Sequence, residues 1–274
     1  MRYVFLRFPE FRNKALTLSY DDGVIFDKKL IEIMQKNKLR GTFNLNSSLM
    51  KGERKFNEEQ AKELYLQDGI EVAVHGRRHL SLAEVPTPIA VEDVITDRVN
   101  LERIFGKIVN GMAYANGSYN DDVVRILKDC GIKYSRTCIT TEKFDIPTDW
   151  LRLPTTCHHK NPRLMDLAKK FLEPYTSNYY MCQTPRLFYL WGHSYEFNDD
   201  NNWNIIEEFA QFLGNREDVW YCTNSEVYDY VKAYESLIFT AERTMVYNPT
   251  QIDIYLHIGG IDILVKAGQT VAIK

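Results

Sequence analysis

Short apolar runs alternate with amphipathic stretches along most of the chain. The apolar runs predict strands at residues 15–20, 42–45, 70–74, 112–114, 133–136, 186–191 and 219–222. The stretches between them carry apolar residues at helical spacing, as at Leu30, Ile31 and Met34. Strands that are separated by helices of this length favour a parallel sheet with crossover helices. About seven such units fit a barrel-like closure better than an open sheet.

Capping residues mark several helix boundaries. Asn57 has Gln60 three residues later, which is the arrangement of a capping box at the start of a helix. A longer helix is expected over residues 88–105. Asn120 is expected to cap a further helix, and Gly131 to follow its C-terminal end. These marks agree with the alternation of strands and helices.

The pattern changes after residue 236. Short β-rich runs at 237–239, 244–247, 252–256, 261–265 and 271–273 are separated by turn sequences such as Gly259-Gly260. We therefore expect a barrel-like domain over residues 1–236 and a small antiparallel β appendage over residues 237–274. An appendage of this size is too small to be stable alone, so it should pack on the barrel.

Composition and charge exclude several classes of protein. The chain is 45% hydrophobic and 26% charged, which is typical of a globular protein and not of a disordered one. Lys+Arg 34 against Asp+Glu 37 gives a net charge of −3, so no basic excess indicates a nucleic-acid partner. The sequence contains neither a signal-peptide core at residues 1–9 nor an apolar stretch long enough to span a membrane. Five scattered cysteines without a CxxC pair fit a reducing compartment, and we expect a cytoplasmic location, or export if a leader has been removed.

Two adjacent carboxylates, Asp21 and Asp22, directly follow the first predicted strand. In βα barrels, catalytic groups gather at the C-terminal ends of the strands. Successive residues of an extended chain point in different directions, so one carboxylate can bind a metal ion while the other faces water. The competing interpretation is an ordinary Asp-Gly turn at Asp22-Gly23.

Histidines follow two further predicted strands. His75 and His79 are four residues apart, a spacing that places two imidazoles on one face of a helical turn, where they can share one ion. One Asp and two His leave a coordination position open to water, as a catalytic zinc site requires. His193 follows the strand at 186–191 and would suit a general acid, because the pKa of an imidazole lies near working pH.

Together these segments resemble the motifs of the polysaccharide deacetylases, the family of the NodB homology domain (carbohydrate esterase family 4). Residues 19–23, Ser-Tyr-Asp-Asp-Gly, are similar to its first motif, Thr-Phe-Asp-Asp-Gly. Residues 75–79 are similar to the second, His-Ser/Gly-x-x-His, and residues 190–193 to the final Leu-x-His motif. The resemblance covers roughly residues 12–235 and implies an α/β fold, a distorted (β/α)7 barrel of the NodB-homology type.

The resemblance also implies roles for individual residues. Asp22, His75 and His79 would hold a divalent ion, most commonly Zn2+, with Co2+, Ni2+, Fe2+ or Mn2+ as alternatives. Asp21 would be the general base that takes a proton from the attacking water. His193 would be the general acid that protonates the leaving amine or alkoxide.

The third family motif, usually Arg-x-Pro-Tyr/Phe-Gly, is altered in this chain at residues 113–117. Ala113 stands where the family has the arginine that orients the base. The backbone N–H of Asn116 could still stabilise the oxyanion, since a backbone donor does not depend on its side chain. Tyr114 is expected to contact the substrate.

Further candidates surround these motifs. Asp149-Trp150 resembles a remnant of the fourth family motif, and Trp150 and Trp191 are expected as substrate contacts or as core residues. Weaker candidates for substrate contact or support of the site, each of which also fits an ordinary surface position, are His158, His159, Arg77, Arg78, Tyr195 and Glu196. His257 lies in the appendage and is expected to be structural.

The sequence thus predicts a metal-dependent hydrolase that removes N- or O-linked acetyl groups from a sugar, an oligosaccharide or a polysaccharide. The altered third motif keeps two alternatives open. One is an amidohydrolase of the same fold that acts on a small cyclic amide, and the other is a catalytically impaired glycan-binding protein. The acetylated substrate and the oligomeric state are not fixed by the sequence.

Overall fold

The predicted alternation of strands and helices is present in the computed structural model, which describes residues 3–50, 52–174 and 183–273. The strands before the appendage are β1 (Val4–Arg7), β2 (Lys14–Asp21), β3 (Gly41–Leu45), β4 (Ile70–Val74), β5 (Gly111–Ala113), β6 (Tyr134–Thr140), β7 (Leu153–Thr155), β8 (Cys157–His158), β9 (Arg186–Gly192) and β10 (Val219–Tyr221). The helices are α1 (Asp27–Lys36), α2 (Glu58–Tyr65), α3 (Thr87–Phe105), α4 (Asp121–Asp129), α5 (Leu164–Leu172), α6 (Ser194–Asp199), α7 (Asn204–Leu213) and α8 (Asn224–Glu235). None of the helices within the described ranges is long and apolar enough to cross a membrane.

Side-chain caps fix the helix starts that the sequence predicts. The Asn57 side chain accepts a hydrogen bond from the Gln60 amide at 2.9 Å, and the Gln60 side chain accepts one from the Asn57 amide at 3.1 Å. This reciprocal pair is the predicted capping box of α2. Asn120 likewise accepts from the Val123 amide at 2.9 Å and caps α4.

The main sheet is parallel and has the strand order β7-β6-β5-β4-β3-β2-β9-β8, with β10 paired to the first half of β2. This confirms the α/β class and the parallel sheet. Among the described residues no closed barrel is formed: β7 and β8 are short consecutive strands on either side of Thr156, and no ladder joins these two ends of the order. The amide of Thr156 donates instead to the Tyr189 carbonyl at 2.9 Å. The break at Thr156 therefore leaves the barrel distorted and open.

The core between the sheet and the helices is formed by the apolar residues that recur at strand or helix spacing in the sequence. Leu16, Leu18 and Tyr20 alternate along β2 and are buried against α1, where Leu30 and Met34 are also fully buried. This packing fixes β2, and with it the two aspartates at its end, in the middle of the sheet.

The C-terminal residues form five short antiparallel strands, as predicted. They are β11 (Ile238–Phe239), β12 (Met245–Tyr247), β13 (Ile254–Ile258), β14 (Ile261–Val265) and β15 (Thr270–Ala272). One sheet has the order β11-β12-β15 and the other β1-β13-β14, so the N-terminal strand β1 pairs with the appendage. Tyr230 of α8 links the two parts, because its hydroxyl donates to the Arg7 carbonyl at 2.7 Å and accepts from the Tyr255 amide at 3.1 Å. The boundary at residue 236 stays a prediction.

Four of the five cysteines lie in the described residues and are free thiols: Cys130, Cys138, Cys157 and Cys222. Cys182 lies outside the described residues.

Candidate active site

The predicted site residues meet at the carboxyl edge of the parallel sheet. Asp21 is the last residue of β2, and His75 and His193 follow the ends of β4 and β9. The register brings these ends level, since Tyr20 pairs with Gly192 and Asp21 with Asn44 of β3. Polar groups from separate strands therefore face one another at this edge, as in βα-barrel enzymes.

Three of these residues form a group with metal-ligand chemistry. Asp22 Oδ1 lies 3.6 Å from His75 Nε2 and 3.4 Å from His79 Nε2. One ligand atom from each residue lies within 4.8 Å of the other two. Asp22 has a φ of 77°, and its carbonyl accepts a hydrogen bond from the Lys55 ammonium, which holds this strained residue in place.

The segment from His75 to His79 is a turn, and the helical turn that the spacing predicts is wrong. Gly76 has a φ of 80° and His79 a φ of 58°, so the backbone doubles back between the two imidazoles. The rings meet edge to face with their centroids 4.9 Å apart. The two histidines thus converge by loop geometry and not by helical periodicity.

Helix α3 supports this turn with two buried carboxylates one helical turn apart. Asp97 accepts from the His75 amide at 3.2 Å, and Asp93 accepts from the Arg78 amide at 3.2 Å and its Nε at 2.9 Å. Burial raises the pKa of Asp97 to about 7. The backbone of the turn is therefore anchored to α3 on both sides of Gly76.

The ring of His75 is oriented for binding through Nε2. Its Nδ1 lies 2.9 Å from the Ala113 carbonyl, an acceptor, so Nδ1 carries the proton and the Nε2 lone pair faces Asp22. Burial lowers the pKa of His75, although the charges of Asp21 and Asp22 oppose this shift. A neutral imidazole with a free Nε2 is what a divalent metal ion requires of a histidine ligand.

Asp21 is buried beside this group and held at both carboxylate oxygens. Its Oδ1 accepts from Asn44 Nδ2 at 2.8 Å, and its Oδ2 accepts from the Arg136 guanidinium. The same Oδ2 lies 3.8 Å from His75 Nε2 and 3.9 Å from His193 Nε2. Burial raises the pKa of Asp21, but the positive charge of Arg136 and the two imidazoles outweigh it, and the net shift is downward. The geometry keeps Asp21 ionised.

His193 faces the aspartates from the end of β9, the strand next to β2. Its Nε2 lies 3.9 Å from Asp21 and 4.0 Å from Asp22, while its Nδ1 lies 3.2 Å from Glu196 Oε2. Burial lowers the pKa of His193, but the hydrogen bond to Glu196 and the aspartate charges together raise it by more, so that the net shift is upward. This combination favours a protonated imidazole.

Glu196 gathers several of the weaker candidates around His193. His158 Nε2 and His159 Nε2 lie 3.1 and 3.2 Å from its Oε2, and Lys160 Nζ lies 3.0 Å from its Oε1. Burial raises the pKa of Glu196, but these donors lower it well below its usual range. Burial also lowers the pKa of His159 to about 4. The two imidazoles and the carboxylate have metal-ligand chemistry too, but the ammonium on the same carboxylate opposes a second cation.

Two of the aromatic residues predicted to contact the substrate lie in the core. Tyr114 is 1% exposed, and its hydroxyl donates to the Leu151 carbonyl at 2.7 Å. Trp150 is 5% exposed and packs edge-on against Tyr228, with ring centroids 5.1 Å apart. Asp149 caps the short turn that begins at Trp150 and does not reach the site. A large buried aromatic area explains these positions without substrate contact.

The other residues singled out in the sequence lie at different distances from the site and have different contacts. Trp191 is 8% exposed and lies against Arg136, beneath the site. Asn116 sits in a left-handed conformation with a φ of 56°, and its side chain donates to Ser81 Oγ at 3.1 Å. Arg77 and Arg78 each pair with Glu92 at 2.6 Å, which supports their interpretation as surface charges. Tyr195 follows His193 at a ring distance of 5.1 Å, and His257 pairs with Asp262 at 2.7 Å in the appendage.

Sequence reasoning missed Arg136 and Asn44 as contacts of Asp21. Both lie in runs that predict strands, where they fit the local pattern without a functional explanation. The usable signal was the charge of Arg136 inside an otherwise uncharged strand, because a buried arginine requires a carboxylate partner. The identity of that partner depends on the order of the strands, which the sequence pattern does not give.

Comparison with known proteins gives a family match over part of the chain. The family model described as polysaccharide deacetylase matches residues 9–135, which include β2 to β5 and the Asp21-Asp22 and His75–His79 segments. The resemblance predicted from the motifs is thus confirmed over this part of the chain. Comparison with curated protein sequences found no significant match.

Solved structures with the same fold include a putative deacetylase and a pseudoenzyme. A putative polysaccharide deacetylase from Mycobacterium smegmatis has a TM-score of 0.53 and 13% identity, and the match covers 84% of this chain and 94% of that one. The Bacillus anthracis protein BA3943, described as a CE4 family pseudoenzyme, has a TM-score of 0.51 and 14% identity, covering 82% of this chain and 68% of that one. Its mutant with restored enzymatic activity has a TM-score of 0.53 and 15% identity, covering 82% and 70%. At these identities the likeness establishes the fold alone.

Proposed function

We propose that the protein is a metal-dependent hydrolase that removes N- or O-linked acetyl groups from a sugar, an oligosaccharide or a polysaccharide. One observation carries this proposal: Asp22, His75 and His79 converge as a ligand group, with Asp21 and His193 beside it and 3.9 Å apart. A base, an acid and a ligand group that faces them are the parts that hydrolysis of an acetyl group requires. The match of residues 9–135 to the polysaccharide deacetylase model supports a carbohydrate as the substrate class.

The donor set fits a divalent ion. One carboxylate and two imidazoles are the ligands of many catalytic zinc sites, and the free Nε2 of His75 satisfies the protonation requirement. We propose zinc, with Co2+, Ni2+, Fe2+ and Mn2+ as alternatives that accept the same ligands. When bound, such an ion polarises the acetyl carbonyl and lowers the pKa of water.

The chain's own residues then perform the proton transfers. Asp21, kept ionised by Arg136, takes a proton from the attacking water. His193, held at Nδ1 by Glu196, presents the proton on Nε2 to the leaving amine or alkoxide. We assign the backbone N–H of Asn116 to the developing oxyanion, as the family motif implies.

The pairing of Arg136 with Asp21 bears on the alternative of an impaired, glycan-binding protein. That alternative rests on the loss of the arginine at position 113. A guanidinium nevertheless lies on the Asp21 carboxylate, which supports a competent base. Turnover of a small cyclic amide without acetate release remains the outcome that would favour the other alternative, an amidohydrolase of the same fold.

Acetate release tests the proposal. Metal-stripped protein, and the same protein with zinc or cobalt restored, is incubated with acetylated chitooligosaccharides and acetylated xylan. We expect release only after the metal is restored. Stoichiometric metal binding without acetate release from any of these substrates would contradict the proposed function.

A further inference from the structure

Arg136 is a fully buried arginine on β6 whose guanidinium ends at the candidate active site. Its Nη2 donates to Oδ2 of Asp21, and its guanidinium carbon lies 4.3 Å from the ring centroid of Trp191. A buried guanidinium is costly unless it is paired and hydrogen-bonded. Asp21 supplies the countercharge, and the indole face supplies a favourable contact for the flat cation.

The strand register explains how this guanidinium reaches Asp21. β5 and β6 are parallel, and Ala113 is the register partner of Arg136. Register partners on adjacent strands point to the same face of a sheet. The side chain of Arg136 therefore starts one strand away from the position at which the family motif has its arginine.

The contacts of Asp21 show what this arrangement does to the carboxylate. Asn44 holds Oδ1, Arg136 holds Oδ2, and the same Oδ2 faces His75 and His193 at 3.8 and 3.9 Å. Two donors on different strands fix the rotation of the carboxyl group. Without the guanidinium, Asn44 alone would leave Oδ2 free to turn.

We propose that Arg136 is the positioning residue for Asp21 and that it compensates, from the neighbouring strand, for the arginine absent at position 113. This inference rests on the proposed function, because it assigns Arg136 a part in the turnover that Asp21 supports. Arg136 acts through Asp21 and does not itself contact the reacting atoms. Trp191 holds the guanidinium from below.

The test compares Arg136→Met, Arg136→Lys and Asp21→Asn in the metal-loaded protein. Methionine keeps an unbranched apolar stem but removes the guanidinium and its donors. We expect kcat to fall about 100-fold in Arg136→Met, with metal content and KM little changed, since misplacing a reacting group by about 1 Å costs this much. Lysine keeps one positive charge but lacks the planar guanidinium. We therefore expect the kcat of Arg136→Lys to lie between those of Arg136→Met and the original protein, about tenfold below the latter.

A double variant separates positioning from general damage. If Arg136 acts only through Asp21, Arg136→Met adds little to the loss already caused by Asp21→Asn. Arg98→Ala is the matched control, because Arg98 is a partly buried arginine paired with Glu102 on α3 and is expected to leave kcat unchanged. The inference would be overturned if Arg136→Met lowered kcat by the same factor in the Asp21→Asn background as in the original protein, or if Arg136→Lys kept the full kcat.

A crystal structure of the metal-free Arg136→Met variant decides the question independently of activity, because methionine provides no donor to Oδ2 of Asp21. We expect the Asp21 carboxylate to be rotated while its hydrogen bond from Asn44 is kept. An unchanged Asp21 carboxylate would refute the positioning role. If the original protein releases no acetate from any substrate, the proposed function fails, while the orientation of Asp21 in the variant still tests Arg136.

Discussion

The charge of Glu196 controls the protonation of His193 in this account, and Glu196→Gln tests that dependence. Glu196 Oε2 lies 3.2 Å from His193 Nδ1, and the two side chains are only 16% and 20% exposed. Glutamine keeps the shape of the side chain but removes its charge. Burial, which lowers the pKa of His193, then loses its main opposing interaction, and the pKa is expected to fall.

The size of the fall follows from the kind of bond that is lost. A hydrogen bond to a charged group contributes about 1.5–3 kcal/mol. A factor of ten in an equilibrium corresponds to about 1.36 kcal/mol, so at a given pH we expect the ratio of protonated to neutral His193 to fall by a factor of about 10 to 100. The aspartates on the other side of the ring are unchanged, which keeps the remaining upward shift in place.

Two assays measure this fall. Imidazole NMR signals of the metal-free protein, assigned with His193→Gln, give the pKa directly. In the metal-loaded enzyme, turnover requires the protonated acid and is lost as the pH rises through its pKa, so the alkaline limb moves to lower pH. Glu207→Gln, at an exposed glutamate 3.5 Å from Lys29, is the matched control. An unchanged His193 pKa in a folded Glu196→Gln protein would refute the reasoning.

Three further predictions concern stability and packing. Burial raises the pKa of Asp27 to about 7, so the folded state keeps a proton that the unfolded state loses near pH 4, and stability falls as the pH rises between these values. Urea unfolding measures the loss of stability between pH 5 and pH 8, which should be smaller by roughly 3 kcal/mol in Asp27→Asn than in the original protein. Equal losses in the two proteins would contradict this pKa. Asn120→Ala removes the cap on the Val123 amide and should cost about 1 kcal/mol in the same assay, whereas no cost would mean that the cap is replaced by water. The methyl group of Gly192→Ala would lie 2.0 Å from His159 Nδ1. We therefore expect destabilisation of about 1–3 kcal/mol and a lower kcat. A variant with unchanged stability would show that His159 can move.

Local patterns were sufficient to predict most elements of the fold. The strands β2 to β4 and the caps at Asn57 and Asn120 depend on nearby residues, and the structure has them where the sequence predicts them. β1 was not predicted, because its partner β13 is distant in the chain. The break at Thr156, which leaves the barrel open, likewise depends on tertiary pairing.

Some residues of the candidate site could likewise be predicted from the sequence, and others could not. Asp21, Asp22 and the histidines after β4 and β9 could be brought together from sequence because parallel strands end at one edge of a sheet. The residues that hold them could not, since Arg136 and Asn44 contact Asp21 only through strand order and register. Tyr114 and Trp150 were expected near the substrate, but the sequence does not distinguish a buried aromatic ring from an exposed one.

In the proposed mechanism Asp22, His75 and His79 hold a metal ion while the neighbouring Asp21 carboxylate acts as the base. Measuring metal content and acetate release together in His79→Ala and Asp21→Asn tests it most directly. His79→Ala should lose metal and turnover together, because only two ligands remain. Asp21→Asn should keep stoichiometric metal and lose turnover by a factor of about 100 or more. An Asp21→Asn protein that keeps both metal and full turnover would contradict the account.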